Sequence, residues 1–112
     1  MYFINTMPEV QLHRGDTFSL DCTIYSGNNL DRKLYKIDEK DEIYFALLEP
    51  NQIWEDALVK KKYTSNFESK IDLLPNDTKC LLPGLYYYQI KLRKSENEVY
   101  TLCNRSKLYI LE

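Results

Sequence analysis

Gly84-Leu85-Tyr86-Tyr87-Tyr88-Gln89-Ile90-Lys91-Leu92-Arg93, followed by Lys94-Ser95-Glu96-Asn97 and then Glu98-Val99-Tyr100-Thr101-Leu102-Cys103, is the stretch that decides the fold. Successive side chains of a strand point to opposite faces, so Tyr86, Tyr88, Ile90 and Leu92 share one side. Residues at this spacing would scatter around a helix. Lys94 to Asn97 has the composition of a hairpin turn, and Glu98 to Cys103 returns as the partner strand. Asn104-Arg105-Ser106 then breaks the regularity in the manner of a bulge, and Lys107-Leu108-Tyr109-Ile110-Leu111 finishes the domain.

Working outward, Phe18, Leu20, Cys22 and Ile24 alternate with polar residues, which predicts a half-buried strand from Phe18 to Tyr25. Arg14-Gly15-Asp16-Thr17 before it reads as a turn, since glycine tolerates positive φ and aspartate accepts from the backbone ahead. Val10 and Leu12 predict a short first strand, with Phe3 and Ile4 as an earlier one. Ser26-Gly27-Asn28-Asn29 opens a polar connection in which Leu34 to Ile37 makes a short edge strand. Ile43 to Leu48 is apolar on both faces and belongs in the centre of a sheet. Pro50 ends it, and Asn51 can cap one helical turn through Gln52 to Ala57. Leu58-Val59-Lys60-Lys61-Lys62 reads as an edge strand whose lysines deter pairing with other chains. Phe67, Ser69, Ile71 and Leu73 give a further strand that Pro75 stops, with a turn at Asn76-Asp77-Thr78.

About seven short strands and one brief helical turn in 112 residues predict a single all-β domain, residues 1–112, of the immunoglobulin-like sandwich kind. Ten tyrosines against three glycines suit pleated, half-buried surfaces. The formal net charge of -2 supplies no overall basic field for nucleic acid or anionic lipid, so neither nucleic acid nor membrane is expected as a partner. The first residues, Met1-Tyr2-Phe3-Ile4-Asn5, lack the pattern of a secretory signal, so the chain is expected to stay where it is made unless an assembly carries it out.

Cys22, Cys80 and Cys103 form an odd set, and His13 is the single histidine. A zinc site is disfavoured. Pairing Cys22 with Cys80 around Trp54 would imitate the Cys-Trp-Cys pattern of antibody domains, but the tryptophan lies too far downstream and position 78 is threonine where that pattern has tyrosine. Reduced, buried thiols are the reading retained. Asp38-Glu39-Lys40-Asp41-Glu42 lacks the spacing and turn glycine of a calcium loop and reads as a solvated loop. Arg14-Gly15-Asp16 is read as a turn, not as a recognition tripeptide, and the acceptor patterns at Asn76 and Asn104 matter only in a secreted eukaryotic protein. One histidine beside Arg14 offers little for acid-base chemistry, so no catalytic residue, cofactor or metal is expected.

A sandwich of this kind exposes edge strands and end loops, so its expected activity is docking. The candidate partner-binding residues are Trp54 in the helical turn, the edge lysines Lys60, Lys61 and Lys62, and Tyr87 and Tyr100, which are expected to face away from the core. Arg14-Gly15-Asp16-Thr17-Phe18, Asp41-Glu42-Ile43-Tyr44-Phe45, Glu49-Pro50-Asn51-Gln52, Lys60-Lys61-Lys62-Tyr63-Thr64, Leu73 to Thr78, Pro83 to Leu92 and Leu108 to Glu112 together resemble small bacteriophage virion proteins. The pattern is similar to the amino-terminal immunoglobulin-like domain of phage baseplate upper proteins and to stand-alone decoration proteins. That resemblance implies a non-enzymatic structural role in the virion, as capsid or tail decoration or baseplate component. The implied partners are other virion proteins and further copies of the chain in a symmetric assembly. Because the chain ends directly after its last strand, a free-standing decoration or adaptor protein is expected ahead of a baseplate subunit. The alternative is a carbohydrate-binding adhesion module, which would need exposed rings flanked by polar groups, with Trp54, Tyr63, Tyr87 and Tyr100 as the discriminating side chains.

Overall fold

The computed structural model describes residues 1–5, 7–28 and 30–112, so Asn29 of the expected polar connection lies outside the described residues. The decisive stretch forms the long antiparallel hairpin that the alternation predicts. Strand β9 (Gly84–Ser95) turns at Glu96 and Asn97 into β10 (Glu98–Leu111), with register pairs such as Tyr100↔Leu92 and Leu108↔Tyr86. The ladder shifts register between Thr101 and Cys103 and again between Cys103 and Ser106, and Arg105 takes φ 58° there. The expected irregularity is therefore a bulge inside one continuous strand.

Around the hairpin a five-stranded sheet assembles. Strand β6 (Glu42–Leu48) pairs with β9 and carries β7 (Val59–Tyr63) on its far side, while β2 (Val10–His13) adds to β10 in parallel. The order is β2-β10-β9-β6-β7, which puts the doubly apolar β6 inside the sheet and the lysine-bearing β7 at its edge, as the sequence predicts. Opposite lie β3 (Phe18–Asp21) with β8 (Lys70–Leu73), and β4 (Ile24–Gly27) between β1 (Tyr2–Ile4) and β5 (Arg32–Leu34). Side chains from both sides share one apolar cluster: Leu20, Cys22, Ile24, Ile71 and Leu73 meet Ile43, Phe45, Leu47, Tyr88, Ile90 and Leu92. The architecture is an all-β, sandwich-like fold, with Tyr88 fully buried and its hydroxyl donating to the Pro8 carbonyl at 2.6 Å.

Several boundaries differ from the sequence reading, each for a local reason. Among the described residues ten strand segments replace about seven, partly because the run from Phe18 to Tyr25 breaks at Cys22 and Thr23. Cys22 N–H still donates to the Ser69 carbonyl at 2.8 Å, after which the chain leaves β8 and pairs with β1 and β5. Ser69 sits at φ 62°, so β8 begins at Lys70 and not at Phe67. The edge strand expected at Leu34 to Ile37 lies two residues earlier, although Tyr35 N–H extends its ladder to the Ile24 carbonyl at 2.9 Å. The helical turn is a 3-10 turn at Trp54–Asp56 whose N-cap is Ile53, not Asn51. A second turn, α1 (Pro75–Thr78), forms where only a reverse turn was expected. Pro75 supplies a pre-set φ at its first position, and the Asp77 carboxylate accepts from Leu74 N–H at 2.7 Å.

The three thiols are unpaired. Cys22 and Cys103 are buried, whereas Cys80 is exposed just beyond α1, which corrects the expectation of a buried thiol there. Burial, with Cys103 nearby, pushes the Cys22 thiol up to about 12. Arg14-Gly15-Asp16 is the β2–β3 turn: Gly15 has φ 85°, its N–H donates to the buried Thr78 Oγ1 at 3.0 Å, and Arg14 N–H donates to the Leu111 carbonyl at 2.7 Å.

Candidate functional site

The face of the five-stranded sheet turned away from the core collects most of the candidate residues. Because Phe45, Leu47, Tyr86, Tyr88, Ile90 and Leu92 point inward, their neighbours Tyr44, Ala46, Tyr87, Gln89, Lys91 and Arg93 point outward. Register sets them in rows. Lys62, Tyr44, Lys91 and Thr101 stand side by side, and so do Lys60, Ala46 and Gln89, while Lys107 stands beside Tyr87. The turn at Trp54–Asp56 packs against β6 on this side, and Ala46 and Leu48 are fully buried although they point away from the core.

Trp54, Tyr44, Lys91, Arg93, Glu96 and Val99 line a shallow hollow of about 360 Å³ on this face. The Lys91 ammonium lies 4.4 Å from the centre of the Trp54 ring, and the Arg105 guanidinium lies 4.8 Å from that of Tyr87. Such contacts join the attraction of a cation for the ring quadrupole to packing of the aliphatic stem. Arg105 is held there by the Pro50 and Gln52 carbonyls, which accept at 2.6 and 3.2 Å. Glu42 anchors the middle of the stripe: Lys62 Nζ is 2.6 Å away, Arg93 3.8 Å, and Tyr44 Oη donates to it at 3.0 Å. The bond from Lys62, with the one from Tyr44 and the nearby Arg93 charge, holds the Glu42 carboxyl below the usual carboxylate range, and Glu42 in turn raises the Lys62 ammonium.

The candidates do not form one group. Trp54, Lys60, Lys62 and Tyr87 belong to this face, with Lys60 Nζ donating to the Glu55 carbonyl at 3.0 Å. Lys61 stands opposite Phe45 on the core side of the edge and pairs with Asp77 at 2.7 Å, so the lysine triplet is split by strand alternation. Tyr100 is a correction. It stands opposite Leu92 on the core side, packed on the cluster with its ring 4.9 Å from Tyr2, because the turn at Glu96 and Asn97 fixes its register and parity.

Two features lay outside the sequence reading. Lys91, Arg93 and Lys107 were legible as the outward partners of Ile90, Leu92 and Leu108, but their juxtaposition with Lys60 and Lys62 requires the β6–β7 register. The second is a polar cluster at one end of the sandwich, which corrects the reading of Asp38 to Glu42 as a solvated loop at Asp41 alone, since Asp38, Glu39 and Lys40 are exposed. Asp41 is 1% exposed, accepts from Tyr35 Oη and from Asp38 N–H, and pairs with Lys94 at 3.3 Å. Lys94 also lies over the Tyr2 and Tyr35 rings at 5.0 and 4.7 Å. Burial favours the neutral acid, but the hydrogen bonds from Tyr35, Asp38 and Lys94 outweigh it and keep Asp41 below its ordinary value.

Among the described residues, no group of three or more His, Cys, Asp and Glu side chains is placed to hold a metal ion, and no helix is long and apolar enough to cross a membrane. Compared with known proteins, the chain matches no family model, no curated protein and no solved structure.

Proposed function

We propose that this chain is a non-enzymatic structural protein of a bacteriophage virion, a capsid or tail decoration or a baseplate component, working by protein-protein docking. The observation that carries the docking half is the outward face of the five-stranded sheet, a rigid and broad surface lined by Lys60, Lys62, Lys91, Arg93 and Lys107 beside Trp54 and Tyr87. Backbone already held in strands spares the ordering cost of a loop on binding, although the long lysine and arginine side chains still lose rotamer freedom. The virion half rests on the sequence resemblance. The immunoglobulin-like reading is supported by the parallel pairing of β2 with the final strand β10 across the rim of the large sheet.

The rings that would distinguish a carbohydrate module favour docking instead. Trp54 and Tyr87 carry cations over their faces, Tyr63 packs on Phe67 at 5.4 Å, and Tyr100 packs on Tyr2. A sugar stacks on an open ring face, and each of these four already gives one contact surface to a neighbour within the chain.

Mass spectrometry of purified virions tests the proposal, with copy number measured against the major capsid and tail-tube proteins. A copy number matching a symmetric ring or lattice is expected. Absence from clean particles would refute the virion reading.

A further inference from the structure

Charge on this molecule is sorted, although the chain as a whole carries a formal net charge of -2. On the outward face of the five-stranded sheet, among the described residues, Lys60, Lys62, Lys91, Arg93, Arg105 and Lys107 stand together with the carboxylate Glu42, while Glu55 and Asp56 lie on the helical turn packed against this face and Glu96 lines the hollow. The cations come from β7, β9 and β10, so strand order assembles the patch and no contiguous basic run encodes it. We propose that this face docks an acidic protein surface, with the hollow beside Trp54 receiving one of the partner's side chains.

Charge complementarity names the partner, and the neighbouring groups narrow its class. A single-stranded nucleic acid would need free ring faces for its bases and an unbroken cationic track for its phosphates. Here Lys91 and Arg105 already cover one face each of Trp54 and Tyr87, and Glu42 interrupts the track between Lys62 and Arg93. A folded protein surface mixes both signs, so it can set carboxylates against the cations and a lysine or arginine beside Glu42. The 360 Å³ hollow, with Val99 and the Trp54 ring on its walls and Glu96 also lining it, is large enough for one side chain. The inference rests on the docking reading and supplies its surface and the chemistry of its partner.

Trp54 is the single tryptophan, so its fluorescence reports directly on the hollow. The probe is poly-L-glutamate, titrated against the full chain at low salt, with calorimetry as a second readout. The expected result is saturable binding that perturbs Trp54 and weakens steeply with added salt. The triple variant Lys60→Glu/Lys62→Glu/Lys107→Glu, confined to exposed side chains, should bind at least about tenfold more weakly. Lys60→Gln/Lys62→Gln/Lys107→Gln should fall between, which keeps the test readable if the reversed variant unfolds. Lys33→Glu/Lys36→Glu, exposed elsewhere, should bind like the parent. Absence of binding, or equal losses in the Lys33/Lys36 control, would overturn the assignment. Tighter binding of oligothymidylate or heparin than of polyglutamate would overturn the choice of an acidic protein as partner. The result is separable from the virion test: a virion protein indifferent to polyglutamate would dock by another face, and a polyglutamate binder absent from virions would dock elsewhere.

Discussion

Asp41 is a charged residue fully removed from water, and its stability depends on keeping its partners. Replacing it with asparagine removes the carboxylate that Lys94 and Tyr35 share, and because the Lys94 side chain still reaches solvent the loss is about 1–2 kcal/mol. Urea unfolding of Asp41→Asn at neutral pH should show a loss of that order. Since the folded-state value of Asp41 lies below its unfolded value, its stabilisation is present above the unfolded carboxylate value of about 3.9 and disappears as pH falls through the folded value. The gap between parent and variant should therefore close in acid, and a gap that persists at low pH would assign the loss to packing instead. The cysteines provide a second check at this scale. Cys80 is exposed while Cys22 and Cys103 are buried, and burial raises both buried thiols. One thiol should react with a disulfide reagent in the native protein and three after denaturation. No sequence pattern marked either Asp41 or Cys80, because burial at a loop end depends on which neighbours fold over it.

At the scale of the element, turns and strand ends are set by backbone angles that only some residues adopt. Gly27 ends β4 at φ 108°, and a Cβ placed there would meet the Asp31 carbonyl oxygen at 2.2 Å. Gly27→Ala should destabilise by more than about 1 kcal/mol, read as a lower urea midpoint. Ser69 is the opposite case, a side chain held at φ 62° before β8 begins. Ser69→Gly should raise stability by up to about 1 kcal/mol, read as a higher urea midpoint, and a fall would mean that the serine side chain contributes more than its conformation costs. The elements themselves were largely legible: β2, β6, β7, β9 and β10 lie where alternation and apolar runs placed them. The break at Cys22 and the start of β8 were not, since alternation continues through both while the backbone turns.

The whole molecule is closed by its last strand. Leu108 and Ile110 are buried opposite Val10 and Leu12, so β10 joins the two ends of the chain into one sheet, and β2 has no other strand partner among the described residues. Leu108→Ala should cost about 3 kcal/mol through lost burial and the cavity left behind, and it should lower the single cooperative transition rather than release β2 alone. Calorimetry distinguishes these, because an early separate transition would show the β2 pairing to be independent of the core. The amino-acid sequence by itself determined which stretches are strands and which side chains share a face, because alternation is a property of neighbours in the chain. Only the tertiary structure decided that β2 runs parallel to β10, that Asp41 meets Lys94, that Tyr100 turns inward, and that cations from three strands gather on one face. Those facts depend on register between segments far apart in the chain, and register is set by turns, bulges and packing that local periodicity does not encode.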